Sequence, residues 1–206
     1  MSQKISPTAM RVGVTSDWKS RWFASRSYLK FLKEDIRIRQ FLEKKLKGMA
    51  VDSIQIERFP AKIGVIIFTA RPGLLIGRGG TGADDLRKEI SKIIKEKVDI
   101  KIEIQEFRHP ESSAKIVAEQ IAEQLEKRIS FRRVMKQAMS KVRANRDIKG
   151  IKIELAGRLD GAEIAREERL EEGGLPLQYL KANIDFAKDT AFTTYGTVGI
   201  KVWIYK

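Results

Sequence analysis

FTARPGLLIGRGG, at residues 68–80, runs from the end of a β-branched segment into a glycine-rich loop, and it decides how the first half of the chain folds. The segment before it has prolines on both sides and reads as a buried strand. After it, Leu86, Ile90 and Ile94 recur at the spacing of one helix face. Working outward, we predict a helix at 26–47, strands at 53–59 and 62–70, a short helix before the loop, a helix at 82–97 and a strand at 99–107.

Pro110 marks the start of a second unit. There we predict helices at 111–128 and 130–144 and strands at 150–158, 180–191 and 197–206, whereas residues 159–172 show no clear period. The pattern indicates an α+β protein with two domains. We place them at 26–108 and 109–206, after a basic and aromatic arm at 1–25.

The loop itself contains a literal G-x-G-x-x-G at residues 77–82, so a dinucleotide site is one interpretation. That fingerprint requires the glycines to follow a strand directly, but residues 71–76 intervene, and the Gly-Lys-Ser/Thr of a Walker loop is absent. A G-x-x-G loop between two helices fits better. Gly77 and Gly80 have no Cβ, so a sugar-phosphate backbone can approach, and Arg78 adds a charge beside Gly79. Leu75 and Ile76 would form one wall of a base groove; the alternative is a plain helix–helix turn.

Composition excludes several function classes. The chain has 206 residues, with 41 Lys plus Arg against 27 Asp plus Glu, a formal charge of +14, one His and no Cys. Disulfides, thiol chemistry, cysteine metal sites and paired-histidine catalysis are therefore excluded. No apolar run approaches the ~20 residues of a membrane span, and the first residues lack a signal-peptide pattern. We expect a soluble cytoplasmic protein with no membrane partner, metal or cofactor, whose partner is a polyanion.

Basic residues concentrate in two segments. Residues 1–51 carry 12 basic and 4 acidic groups, and residues 111–149 carry 10 and 5. On a helical wheel of 128–144, the basic arc contains Arg128, Arg132, Lys136 and Arg143, with Arg133 beside them. No acidic residue from 127 to 146 offsets these charges, so we predict an RNA contact here rather than an ordinary solvated face.

The N-terminal arm combines basic and aromatic residues, a pattern typical of RNA binding through phosphate pairing and stacking. Its candidates are Lys4, Arg11, Trp18, Lys19 and Trp22. Packing of the two tryptophans on the first domain is an equally good interpretation.

Four glutamates form an acidic cluster between residues 167 and 172. A metal site is one interpretation of this cluster. A solvated loop, or a contact to a basic neighbouring protein, is the preferred interpretation.

Several stretches together carry a family resemblance. They are QKISPTAMRVG at 3–13, FTARPGLLIGRGG at 68–80, FRRVMKQAM at 131–139, GIKIELAGRLDGAEIAR at 150–166 and TTYGTVGIKVWIYK at 193–206. The chain resembles the bacterial S-three family of small-subunit ribosomal proteins, and its element order around the loop resembles a type II KH domain. The loop departs from the pattern of many members in having one basic residue instead of two.

This resemblance implies a KH domain with a three-stranded sheet and a second domain with two helices on a four-stranded sheet. It implies a structural, non-enzymatic role with no small-molecule substrate. The implied partners are small-subunit ribosomal RNA, messenger RNA and the head proteins ten and fourteen. Arg132, Arg133 and Lys136 would lie at the messenger entrance and assist unwinding passively. A free-standing KH regulator outside the ribosome and a nucleotide-dependent enzyme are the alternatives.

Overall fold

A computed structural model describes residues 5–59, 62–94 and 98–206, and of Arg78 only the backbone. The chain divides into two compact units. The first unit spans 18–108, and the second combines 109–206 with the described residues before Trp18. The predicted arm of residues 1–25 is therefore divided between both units. Among the described residues, no helix combines the length and apolar character that a membrane crossing requires.

The first unit has the predicted order of helices and strands around the glycine loop. Its elements are β1 (Ser20–Arg21), α1 (Tyr28–Lys45), β2 (Val51–Arg58), β3 (Lys62–Thr69), α2 (Pro72–Ile76), α3 (Thr81–Ile93) and β4 (Asp99–Glu106). The sheet order is β1-β2-β3-β4, with β2 and β3 antiparallel and β3 and β4 parallel. Alternate residues of β3 are buried, with Ile63, Val65 and Ile67 at most 2% exposed, so one sheet face packs on the helices.

The predicted three-stranded sheet corresponds to β2, β3 and β4, and the two-residue strand β1 extends it. Ser20 lies opposite Ile56 in a parallel pairing, and the Ile56 N–H donates to the carbonyl of Lys19 at 3.0 Å. Arg39 of α1 secures this edge by donating to the carbonyls of Ile54 and Lys19. Because these contacts join residues far apart in sequence, local periodicity gave no signal for β1.

The second unit has two helices on one face of an antiparallel sheet, as predicted. Its elements are α4 (Ala114–Glu126), α5 (Phe131–Arg143), β5 (Gly150–Gly157), β6 (Arg166–Gly173), β7 (Ile184–Thr193) and β8 (Gly196–Tyr205). The strand order is β6-β5-β8-β7. Ile153 of β5 and Val202 of β8 lie opposite each other, and both are fully buried beneath the helices.

Two boundaries in this unit differ from the sequence prediction. Residues 159–172, which showed no period, contain most of the edge strand β6. Its sequence, REERLEEG, is charged on both faces, so apolar alternation is absent. The strand predicted at 180–191 lies at 184–193 instead, because the residues before Ile184 form a turn whose Ala182 packs on Trp203.

Candidate nucleic-acid interface

The glycine loop lies between α2 and α3, and its backbone requires glycine at three positions. Gly77, Gly79 and Gly80 have φ values of 68°, 63° and 83°, in the left-handed region that residues with a Cβ rarely adopt. A Cβ at Gly79 or Gly80 would meet no described atom within 4 Å. The loop therefore presents bare backbone to open space.

The N-terminus of α3 follows this loop without a side-chain cap. Its N-cap is Gly80, which has no side chain that could accept a hydrogen bond from the first turn. The positive end of the helix dipole therefore lies at the loop, where it favours an anion. The side chain of Arg78 lies outside the described residues, so its predicted part in this site stays a prediction.

The predicted groove wall differs in detail from the structure. Leu75 is 3% exposed and belongs to the core, whereas its neighbours Leu74 and Ile76 are 58% and 41% exposed. The reason is helical geometry: successive residues of α2 point 100° apart, so Leu75 faces the sheet and its neighbours face outward. The apolar surface beside the loop is thus formed by Leu74 and Ile76, and the prediction for Leu75 was wrong.

Gly82 is a residue whose role the sequence did not reveal. A Cβ there would lie 2.4 Å from the carbonyl oxygen of Leu75 and 3.1 Å from that of Ile76. Gly82 therefore allows the first turn of α3 to pack directly on α2. Its place as the last glycine of G-x-G-x-x-G was the available signal, but it pointed to a dinucleotide site.

The second candidate site is the basic face of α5. Phe131, Val134 and Met135 are at most 3% exposed and hold the helix against the sheet. The residues on the other face, which we call the entrance triple, are all exposed: Arg132, Arg133 and Lys136. Within the described ranges, no carboxylate lies in salt-bridge distance of these three charges. Arg132 does lie over the Phe131 ring at 5.6 Å.

The start of α5 is positioned by a loop from elsewhere in the unit. Asp160, in the connection after β5, accepts hydrogen bonds from the Phe131 N–H and the Ser130 hydroxyl, both at 3.3 Å. A carboxylate at this end of a helix satisfies otherwise unpaired N–H groups and complements the helix dipole. This contact sets where the first turn of the basic face lies.

The other two predicted members of the basic face occupy different surroundings. Arg128 lies outside α5, in the turn after α4, with a φ of 61°. Arg143 is on α5, but its guanidinium donates to the carbonyl of Ile148 at 3.0 Å and to Glu172 at 3.3 Å. The wheel prediction was wrong for Arg128 because the helix begins three residues later, at Phe131.

Arg11 has a structural role within the second unit. It is 1% exposed, and its guanidinium donates to the carbonyls of Pro7, Leu177, Tyr179 and Ala182 at 2.8–3.1 Å. These bonds fasten the N-terminal segment to the turn before β7. We therefore remove Arg11 from the candidate RNA-binding residues. Lys4 lies outside the described residues.

Trp22 packs on the first unit, as one of the two interpretations proposed. Its indole N–H donates to Asp35 at 2.8 Å, and its ring meets that of Phe31 edge-on at 5.7 Å. Arg58 completes this buried cluster with two hydrogen bonds to Asp35. Burial lowers the pKa of nearby Arg39, an effect that the charge of Asp35 opposes. Trp22 is thus engaged within the protein.

Trp18 and Lys19 differ from Trp22 in exposure. Trp18 is 66% exposed, and the Lys19 side chain is also exposed. These two residues therefore remain candidates for an RNA contact from the arm.

The acidic cluster lies on β6, and three of its four glutamates form ion pairs. Glu171 lies 3.2 Å from Lys152, Glu172 pairs with Arg143, and Glu168 lies 3.5 Å from Arg166. Across residues 5–59, 62–94 and 98–206, no three acidic or histidine side chains are grouped as metal ligands.

Comparisons with known proteins find similarity over the whole chain. Residues 37–112 match a family described as KH domain, and residues 121–204 match one described as Ribosomal protein S3, C-terminal domain. The chain is 48% identical to the small ribosomal subunit protein uS3 of Enterococcus faecalis, with 100% of this chain and 93% of that protein covered. It is 49% identical to the uS3 proteins of Coxiella burnetii and Caldicellulosiruptor saccharolyticus. Each of these matches covers 100% of this chain, with 90% of the Coxiella protein and 92% of the Caldicellulosiruptor protein covered.

Proposed function

Because the chain belongs to the ribosomal protein S3 family and is a structural constituent of the small ribosomal subunit, we propose that its two units hold two different RNAs. The glycine loop of the KH domain binds ribosomal RNA in the head of the subunit. The entrance triple binds messenger RNA where the message enters the subunit. Family membership confirms the predictions of a ribosomal, non-enzymatic protein with a KH domain. A nucleotide-dependent enzyme is thereby rejected.

The proposed ribosomal RNA contact is supported by the backbone of the glycine loop. Its left-handed glycines present backbone that a phosphate can approach without side-chain obstruction, and the positive end of the α3 dipole lies beside them. Leu74 and Ile76 supply exposed apolar surface beside it for unstacked bases. Trp18 and Lys19 extend the contact, since an aromatic ring and an ammonium group bind base and phosphate.

One observation carries the proposed messenger contact: the entrance triple is exposed on a rigidly seated helix and has no carboxylate partner among the described residues. Three unneutralised cations within two helical turns repel one another, and a polyphosphate relieves this repulsion. Contacts of this kind are made to the backbone and tolerate any message sequence.

The proposed unwinding is passive. The sequence has no Walker loop that could bind and hydrolyse a nucleoside triphosphate. Binding of a melted strand by the entrance triple lowers the free energy of the open state relative to the duplex, and movement of the message by the ribosome supplies the work.

The assembly context follows from the same proposal. We place the protein in cytoplasmic ribosomes, beside the head proteins ten and fourteen. The ion-paired edge strand β6 suits contact with a charged protein neighbour, because its exposed residues carry both signs.

Reconstituted translation tests this function. Subunits containing the Arg132→Ala, Arg133→Ala, Lys136→Ala variant should assemble normally. Relative to wild-type subunits, they should translate hairpin-containing messages more slowly and unstructured messages at the same speed. A control triple with the same charge change uses exposed residues of α1: Lys33→Ala, Arg37→Ala and Lys44→Ala. If the speed of the variant relative to wild type is equal on both message types, the messenger role is contradicted. Absence of the native protein from small-subunit fractions would favour the free-standing regulator.

A further inference from the structure

A cavity of about 290 Å³ lies in the second unit, beside the start of α5. Three connections enclose it: the α4–α5 turn, the connection after β5 and the β7–β8 turn. Buried Leu125 and Val198 provide apolar lining, whereas Arg128, Arg158 and Tyr195 are exposed. Its volume is at the lower end of the roughly 300–1,000 Å³ of small-molecule sites, a size suited to one small ligand.

The backbone around this cavity is strained at two non-glycine residues. Arg128 and Asp160 have φ values of 61° and 52°. In the described part of the chain only Ala50 shares such a conformation, and it lies in the other unit. Residues held in sparsely populated backbone regions cluster at ligand sites, because the surrounding structure must maintain them.

Tyr195 is held in place although the residue is 55% exposed. A Cβ at Gly161 would lie 3.2 Å from Cε2 of this ring, so the ring rests against a bare glycine backbone. Arg158 donates to the carbonyl of Tyr195 at 3.2 Å and to that of Ala162 at 2.9 Å, which ties the two turns together. The cavity therefore has a positioned aromatic surface that is open to a ligand.

The charges around the cavity select for an anionic group on that ligand. The Arg128 side chain is exposed and has no hydrogen-bond or ion-pair partner among the described residues. Asp160, the nearby acid, is engaged by the Ser130 hydroxyl and the Phe131 N–H. A nucleotide combines a flat base that can stack on Tyr195 with a phosphate that can pair with Arg128.

We propose that this cavity holds one unstacked nucleotide of a single-stranded RNA, with its base on Tyr195 and its phosphate on Arg128. The inference rests on the proposed function, since Phe131 lines the cavity and is followed directly by the first two members of the entrance triple. A strand gripped by that face can place its next base in the cavity. The cavity then holds the strand in register while the triple binds its backbone.

The test uses the full chain and a single-stranded oligouridine RNA that carries one 2-aminopurine, a base whose fluorescence falls on stacking. Wild type should quench the probe, and Tyr195→Phe should retain the quenching. Tyr195→Ala should abolish it and weaken binding about tenfold. The matched control is Tyr179→Ala, since Tyr179 is 54% exposed in the same unit but does not line the cavity. Arg128→Gln should weaken binding about fivefold at 0.1 M salt, whereas Arg146→Gln should not.

Three results would overturn the proposal in distinguishable ways. If Tyr195→Ala quenches like wild type while the entrance triple variant loses RNA, the messenger contact stands and the cavity assignment is wrong. If 2-aminopurine riboside monophosphate binds as tightly as the RNA, the occupant is a free nucleotide and not a strand. If wild type itself binds no RNA, the proposed function has failed together with the inference.

Discussion

Removing the entrance triple should change the salt dependence of RNA binding by a calculable amount. Each phosphate contact to single-stranded RNA contributes about 0.7 to the slope of log K against log salt. If each of Arg132, Arg133 and Lys136 meets one phosphate, their replacement by Ala lowers the magnitude of that slope by about 2. The same relation makes the variant bind about 100-fold more weakly at 0.1 M salt and about 30-fold more weakly at 0.2 M.

The assay is fluorescence anisotropy of a labelled single-stranded RNA, titrated with the purified full chain at several salt concentrations. The control triple on α1 removes the same net charge from exposed helical positions, so it corrects for general attraction to a polyanion. Alanine is a good helix former and the triple lies outside the core, so thermal unfolding of the variant should match wild type within about 2 °C.

Two outcomes would refute this reasoning. A variant slope equal to that of wild type would show that the exposed face of α5 makes no phosphate contact. An equal loss of slope in the control triple would show that the protein attracts RNA only through its net charge. In either case the local arrangement of charge on α5 would not account for RNA binding.

Substitutions at other sites separate residues that bind RNA from residues that stabilise the fold. Replacing Arg78 and Gly79 together by Asp should weaken ribosomal RNA binding at least fivefold, by the loss of about one phosphate contact. The protein should stay folded, with thermal unfolding lowered by a few degrees because Asp at 79 must adopt a φ of 63°; unchanged affinity would make the loop a plain turn. Gly82→Ala should destabilise the protein by about 1–3 kcal/mol in chemical denaturation, because its Cβ would lie 2.4 Å from a carbonyl oxygen of α2; Gly73→Ala, which meets no atom within 4 Å, should be neutral or stabilising. Arg11→Met leaves four carbonyls without their donor and should lower stability by at least about 2 kcal/mol, while RNA affinity of the folded protein stays the same. A loss of affinity without a loss of stability would return Arg11 to the RNA-binding residues.

Features that depend on neighbouring residues were predictable from the sequence. The strands at 62–70 and 99–107 follow from β-branched runs and alternation, and the structure has β3 and β4 within those bounds. The buried and exposed faces of α5 follow from a 3.6-residue period and the absence of acids between residues 127 and 146. The approach of a sugar-phosphate backbone to Gly77 and Gly80 stays a prediction, and the structure adds that both glycines have a positive φ.

Features that depend on contacts between residues far apart in the sequence could not be predicted from local patterns. Arg11 looks like an RNA-binding residue until its guanidinium is seen to meet carbonyls 166–171 residues away. The indole of Trp22 likewise donates to Asp35, 13 residues along the chain. Composition and periodicity report which side chains are charged or apolar, since these are local properties. Whether a given charge reaches solvent or a buried carbonyl depends on long-range chain packing, and that packing also assembles the cavity beside α5 from three separate turns.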